Sequence, residues 1–316
     1  MSGGPRPSEV RVSVPATSAN LGPGFDALGL ALDLRDELAV RVVDADVTGG
    51  AWQLASYGGL SGGEDNLVLR AMRAAFTEVG WEPAGLTAHY SQHVPMSRGL
   101  GSSAAAICAG VTAALALAGV EPTAGSRPGS LALQLATRVE GHADNVAACL
   151  LGGLTIARMQ PDLSVDAVRL EPAAGLAAVA VIPDAPVSTA TSRGVLPAQV
   201  RHSDAARTAG RAALLVAALT SRPDQLLEAT EDWLHQPYRL PALPLSAAVV
   251  AAWREAGIPA FLSGSGPTVL ALVRDEAERW RAEQVAREQL PASAAHGTAT
   301  VRSLALNATG TTLLPI

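Results

Sequence analysis

The sequence predicts an α+β protein of two domains, and three observations carry that prediction. At 316 residues, with 48% hydrophobic and only 16% charged content, the chain is long for a single core and too apolar to stay disordered. Runs of strand length and runs with helical spacing follow one another along the chain, a mixture that suggests sheets with helices on one face. Composition shifts around Pro161–Asp166, which predicts a division into residues 1–163 and 164–316.

Each element has a local reason. Val10–Val14 alternates apolar and polar residues and reads as a short strand ending at Pro15, and Leu32–Val43 reads as the next strand. Apolar residues at helical spacing predict a helix over Glu64–Val79, with Glu64 and Asp65 near its positive end. Leu86–Val94 reads as a strand leading into a loop at Pro95–Gly99, and Ser102–Ala118 as a buried helix stopped by Gly119 and Pro122. Leu131–Val139 is an amphipathic helix followed by the polar cluster Glu140–Asn145. In the second half, strands are predicted at Leu176–Ile182, Ala260–Ser263, Thr268–Val273 and Thr298–Ala305. Helices are predicted there at Asp204–Leu219, Pro223–Trp233, Ser246–Ala256 and Asp275–Gln289.

Composition also excludes several functions. The chain has no lysine, and all 23 basic residues are arginine. Chemistry that needs a Walker A, Schiff-base or pyridoxal-phosphate lysine is excluded with it. Phosphate would have to be held by backbone amides, arginine, hydroxyls and metal. A formal net charge of −6 offers no basic footprint for nucleic acid or an anionic membrane. Cys108 and Cys149 lie in apolar runs without ligand spacing and read as free thiols of a reducing compartment. The opening MSGGPRPSEV lacks the apolar segment of a secretory signal, and the glycine-interrupted stretch Ala104–Val120 is too short to span a bilayer. A soluble, cytoplasmic protein is expected, with no nucleic-acid or membrane partner.

The sharpest motif is Pro95-Met96-Ser97-Arg98-Gly99-Leu100-Gly101-Ser102-Ser103-Ala104. Glycines allow close backbone approach to a phosphate, the first N–H groups of the following helix are free donors, and the helix dipole favours an anion there. Serine hydroxyls can donate to phosphate oxygens or ligate Mg²⁺. Alone, this segment is equally a glycine turn with a serine cap. Two further segments stand in order around it: Pro15-Ala16-Thr17-Ser18-Ala19-Asn20-Leu21-Gly22-Pro23-Gly24-Phe25-Asp26, and Leu262-Ser263-Gly264-Ser265-Gly266-Pro267-Thr268-Val269. Together the three resemble the motifs of the GHMP kinases.

That resemblance implies an N-terminal domain like ribosomal protein S5 domain 2, with a left-handed β-α-β crossover, and a C-terminal ferredoxin-like α/β sandwich. It implies ATP, bound by Pro95, Arg98, Gly99, Leu100, Gly101, Ser102, Ser103 and Ala104, with Gly264 and Ser265 approaching from the second domain. Asn66 resembles a residue near the nucleoside and is equally well read as a polar residue early in a helix. Glu140 and Ser103 resemble the superfamily's Mg²⁺ ligands.

The cluster Glu140-Gly141-His142-Ala143-Asp144-Asn145-Val146 resembles the compact form found in homoserine kinases. Without the resemblance, it also fits a polar loop with a helix cap at Asp144. A homoserine substrate carries a carboxylate, an ammonium and a primary hydroxyl. Arg193 and Arg239, in family-like settings, are implied carboxylate clamps, since a guanidinium fork donates two parallel bonds. Asp26, with His142 or Thr189, suits the ammonium; Asn20 can orient the amino acid, and Asp144 and Asn145 can align the hydroxyl. The implied reaction is ATP-dependent phosphorylation of L-homoserine to O-phospho-L-homoserine, a step of threonine biosynthesis. Two alternatives remain open at this level: a GHMP kinase for another small alcohol, and a nucleotide sensor that kept the fold. The family is often dimeric, so a homodimer is one implied assembly, though no residue identifies an interface.

Overall fold

The computed structural model describes residues 6–44, 46, 52–57, 66–121, 130–162, 164–187, 189–290 and 299–316. The proposed first-turn acids Glu64 and Asp65, and the stop residue Pro122, lie outside these.

The first sheet is built on two long antiparallel strands, β1 (Glu9–Asn20) and β2 (Gly24–Val43). β1 does not end at Pro15. The strand runs on into the first motif as far as Asn20, because the register jumps from Pro15↔Arg35 to Ala16↔Leu32 and the proline sits at this irregularity. β3 (Trp52–Tyr57) lies parallel to β4 (Gly85–Ser91), with helix α1 (Leu67–Val79) between them in the chain. β4 in turn pairs antiparallel with the second half of β2.

Helix α2 (Ser102–Leu117) is buried along its length from Ala104 onward. Its small side chains allow neighbours to approach closely; a Cβ on Gly110 would stand 2.5 Å from the Val68 carbonyl oxygen of α1. Helices α3 (Leu131–Glu140) and α4 (Asp144–Leu151) follow, separated by Gly141, whose φ of 92° lets it end α3.

A hairpin of β5 (Leu154–Met159) and β6 (Val165–Leu170) joins the same sheet through the first half of β2. The expected division at residue 163 therefore falls inside a hairpin of the first sheet. A second sheet holds β7 (Ala177–Pro183). The chain then forms α5 (Thr189–Gly194), α6 (His202–Thr220), a 3-10 turn at Pro223–Gln225, and two single-turn helices, α7 (Leu226–Ala229) and α8 (Gln236–Arg239). After these come α9 (Pro244–Glu255), β8 (Ala260–Leu262), β9 (Val269–Val273), α10 (Glu276–Gln289) and β10 (Ala299–Ala305). The final strand, β11 (Thr312–Leu314), returns to β1 in the first sheet.

The helix expected over Pro223–Trp233 is broken. The first helical turn ends at Ala229, and Asp232 takes the backbone N–H groups of Leu234, His235 and Gln236 at 2.8–3.0 Å, so its side chain starts the next helix.

The second sheet is antiparallel in the order β10-β7-β9-β8. One face packs Val179, Val181, Val269, Ala271 and Val273 against Val249, Trp253, Ala282 and Ala286 of α9 and α10. Helices α9 and α10 lie on this face, as helices α1–α4 lie on one face of the first sheet. The opposite face packs Ala178, Ala180, Leu270 and Leu272 against Leu215 and Leu219 of α6 and against Leu28, Leu30 and Leu32 of β2. That shared core fuses the two domains and sets the cleft between them. Both cysteines are buried and free, and no described helix is long and apolar enough to cross a membrane.

Candidate active site

The three glycine-rich segments meet at one end of the shared core. Leu100 accepts from the Thr17 backbone N–H (3.0 Å), and Arg98 accepts from the Thr268 N–H (3.1 Å). The Ser263 hydroxyl donates to the Gly99 carbonyl (2.6 Å) and lies 2.8 Å from the Ser18 hydroxyl. Asn20 adopts the left-handed backbone that asparagine tolerates (φ 69°) and donates from Nδ2 to the Gly264 carbonyl at 3.0 Å. Its Oδ1 accepts the Asp26 N–H, also at 3.0 Å.

These contacts shape a cavity of about 130 Å³. Gly99, Gly101, Ser102 and Ser103 form one wall at the start of α2, and Gly264 and Ser265 stand opposite. Gly101 caps α2 at φ 70° with no side-chain cap bond. Its backbone comes so close to its neighbours that a Cβ would lie 1.9 Å from Thr17 Oγ1. The first N–H groups of α2 and its positive dipole end therefore face the cavity, the arrangement that binds a phosphate.

The polar cluster at the α3–α4 junction forms the floor. Ser103 Oγ donates to Glu140 Oε2 at 2.6 Å. Burial pushes the Glu140 carboxyl above its ordinary range, against the Ser103 bond and the His142 charge. Asp144 opens α4, with Ala143 rather than Asp144 in the cap position. Asp144 Oδ1 accepts the Asn145 N–H at 2.7 Å and lies 3.0 Å from His142 Nδ1. That bond holds His142 above its ordinary pKa, opposed by burial. Thr17 Oγ1 donates to Asn145 Oδ1 at 2.8 Å, which orients the Asn145 amide.

The remaining wall is cationic. Arg193 donates two bonds to Asp26, at 2.8 and 3.1 Å, and this pairing raises the arginine pKa. Arg239 is 3% exposed and is held from the protein side by the carbonyls of Ser192 and Gly264, each at 3.2 Å. Burial, and then the charge of Arg193, lower the Arg239 pKa.

The cavity thus gathers Asn20, Asp26, Glu140, His142, Asp144, Asn145, Arg193 and Arg239. Other expected site residues lie elsewhere. Asn66 is buried and caps α1, accepting the Val68 N–H at 2.8 Å. Arg98 is turned outward onto the carbonyls of Met96 and Asp184. Leu100 and Ala104 are fully buried core residues, and Pro95 does not line the cavity. Thr189 opens α5, but its side chain lies outside the described residues. Sequence reasoning missed Ser97 and Val187, which also line the cavity. Thr17 of the first motif holds Asn145, a role that its sequence setting, a polar residue in a strand, does not disclose.

The family described as GHMP kinases N terminal domain matches residues 66–153, and GHMP kinases C terminal matches residues 214–292. A homoserine kinase of Streptomyces avermitilis is 50% identical over 98% of this chain and 97% of its own. Another, from Streptomyces coelicolor, is 52% identical over 84% of this chain and 85% of its own. Among solved structures, the homoserine kinase of Cytophaga hutchinsonii superposes with a TM-score of 0.83 at 29% identity, covering 99% of this chain and 100% of that one. The mevalonate diphosphate decarboxylase of Staphylococcus aureus shares the fold, with a TM-score of 0.70 at 17% identity over 98% of each chain. A GHMP kinase is an ATP-dependent phosphotransferase with an alcohol acceptor, and both the fold and the lysine-free phosphate loop are of that class. The chain belongs to the GHMP kinases and, within them, to the homoserine kinase family.

Proposed function

We propose that this enzyme transfers the γ-phosphoryl group of ATP to the side-chain hydroxyl of L-homoserine, in the cytoplasm, as a step of threonine biosynthesis. The observation that carries this reading is the charge arrangement of the cleft. Two guanidinium groups and one carboxylate, those of Arg193, Arg239 and Asp26, face the phosphate loop across a single small cavity. An α-amino acid zwitterion complements that set, its carboxylate on the arginines and its ammonium on Asp26. Release of Arg193 from Asp26 would free both partners for such a substrate.

The N–H groups at the start of α2 bind the phosphates, and Ser102 adds a hydroxyl donor. Asp144 and Asn145 orient the acceptor hydroxyl in line with the phosphorus. His142 Nδ1 and the Asn145 N–H both hold Asp144 at its Oδ1. Phosphoryl transfer passes through a loose transition state that asks for alignment and charge stabilisation more than covalent help, so no strong base is invoked.

The Glu140 and Ser103 oxygens, 2.6 Å apart at the edge of the phosphate loop, are the hard donors Mg²⁺ takes beside phosphate oxygens and water. The described residues hold no group of three or more His, Cys, Asp or Glu able to hold a metal unaided. The donor set therefore fits an ion that arrives with the nucleotide. Bound there, Mg²⁺ would neutralise charge on the phosphate oxygens. A homodimer is the proposed assembly, by likeness to the family.

The test is ADP release with Mg-ATP against L-homoserine, D-homoserine, L-serine, L-threonine and mevalonate. Turnover confined to L-homoserine, with O-phosphohomoserine identified by mass, is expected. Turnover of mevalonate with none of L-homoserine would overturn the reading.

A further inference from the structure

Behind the cationic wall lies a group that the proposed chemistry does not use. His235 is fully buried between the β1–β2 turn and α8. Its Nε2 is 2.7 Å from the Gly22 carbonyl oxygen, which can only accept, so Nε2 carries the proton. Its Nδ1 is 3.3 Å from Arg239 Nη1, which can only donate, so Nδ1 is the acceptor. Two neighbours of opposite character thus fix one neutral tautomer. Burial, the dominant influence, lowers the His235 pKa and favours the neutral ring; the Asp232 carboxylate, 3.5 Å from Nε2, acts against it and the Arg239 charge with it.

The same ring stacks on Phe25, with centroids 5.3 Å apart and planes at 24°. Phe25 immediately precedes Asp26, and its ring lies beneath both guanidinium groups, 5.9 Å from Arg193 and 5.4 Å from Arg239. The turn is pinned from below as well, since a Cβ on Gly22 would stand 2.6 Å from the Thr230 carbonyl oxygen. The position of His235 is set in turn by Asp232, which accepts its backbone N–H at 3.0 Å.

We propose that His235 is a positioning residue, whose neutral Nε2–H ring ties the Gly22–Asp26 turn to Arg239 and so fixes the separation at which the site reads the substrate's ammonium and carboxylate. Arg239 is held by the Ser192 and Gly264 carbonyls along with His235 Nδ1, which directs the rest of its fork to the cavity. Without the ring, Phe25 loses its stacking partner and Arg239 loses the hydrogen-bonded link to the Asp26 turn, keeping only its place over the Phe25 face. The consequence falls on the amino acid and not on the nucleotide, whose loop is held by Thr17, Ser18 and Ser263.

This inference rests on the amino-acid reading of the site, and its test separates the two. His235→Ala is expected to raise KM for L-homoserine by about tenfold, the worth of one buried hydrogen bond, with KM for ATP within about twofold. His235→Asn, whose Oδ1 can still accept from Arg239, should recover part of that loss, whereas His235→Phe, which keeps a ring but neither bond, should not. Equal changes in both KM values, or no recovery in the asparagine variant, would overturn the proposal. Long-range ¹H–¹⁵N correlation on the wild-type enzyme reads the ring whether or not the variants fold and whichever alcohol is turned over. A neutral Nε2–H tautomer is expected near neutral pH; an Nδ1–H or doubly protonated ring would refute the arrangement.

Discussion

Replacing Gly101 by alanine should damage nucleotide binding and stability together, for reasons that can be separated. The residue sits at φ 70°, and its added Cβ would meet Thr17 Oγ1 at 1.9 Å, with Asn145 Oδ1 and Thr17 Cβ next at 3.2 Å. A left-handed backbone costs an ordinary residue about 1–2 kcal/mol. Relief of the collision by shifting the loop or β1 costs about 1–3 kcal/mol more, the usual range for overpacking. Because Gly101 leads directly into the N–H groups of α2, a shift of about 1 Å should lower kcat/KM for ATP by about 10²-fold.

Thr17→Ala removes the colliding oxygen and also the bond to Asn145, so alone it should cost about 1 kcal/mol. The double variant should therefore be more stable than the sum of the singles predicts, by about 1–3 kcal/mol. Urea unfolding of the four proteins, with ADP release at varied ATP, measures both effects. Strict additivity would refute the claim that Thr17 is what keeps position 101 a glycine.

Two further outcomes follow from the geometry. Asp144→Asn keeps an acceptor for the Asn145 N–H but weakens the hold on His142, so kcat should fall by about 10²-fold with little change in either KM or in thermal stability; an equal loss of stability and activity would indicate a purely structural role. Asp36 is fully buried, accepting from Tyr90 and from the N–H groups of His93 and Val94, and burial raises its pKa. A raised carboxyl pKa contributes stability below the unfolded value of 3.8 that is lost as pH rises through the folded value. Unfolding free energies from acid to neutral pH should therefore shift in favour of Asp36→Asn over the wild type as pH rises, and a constant difference would contradict this.

The motifs were readable because each needs special backbone that few residues supply. The glycines of the phosphate loop announce close approach whatever surrounds them, whereas the left-handed backbone of Asn20 and Asp26 is visible only in three dimensions. The helix end at Gly119, legible as a stop, likewise has positive φ. What the sequence concealed depends on partners distant in the chain. The pairing of β11 with β1 joins residues nearly the whole chain apart, and no local pattern predicts it. Pro15 reads as a strand stop until the β1–β2 irregularity that accommodates it is seen. Asn66 gave the same polar signal whether it caps a helix or meets a nucleoside, and its buried cap bonds to Val68 and Leu69 are visible only in three dimensions. A single histidine in the Leu234–Arg239 segment carried no signal either, since its meaning comes from Gly22 and Phe25, more than two hundred residues earlier.

The central claim is that the site selects an amino-acid alcohol by reading both of its charges. The most direct measurement is kcat/KM for L-homoserine beside 3-aminopropan-1-ol, which lacks the carboxylate, in the wild type and in Arg239→Ala. The wild type should prefer L-homoserine by about 10²-fold or more, the worth of a buried charge-assisted pair, and the variant should lose most of that preference while its KM for ATP stays nearly unchanged. A preference that survives the loss of Arg239, or a wild type that does not distinguish the two alcohols, would contradict the account.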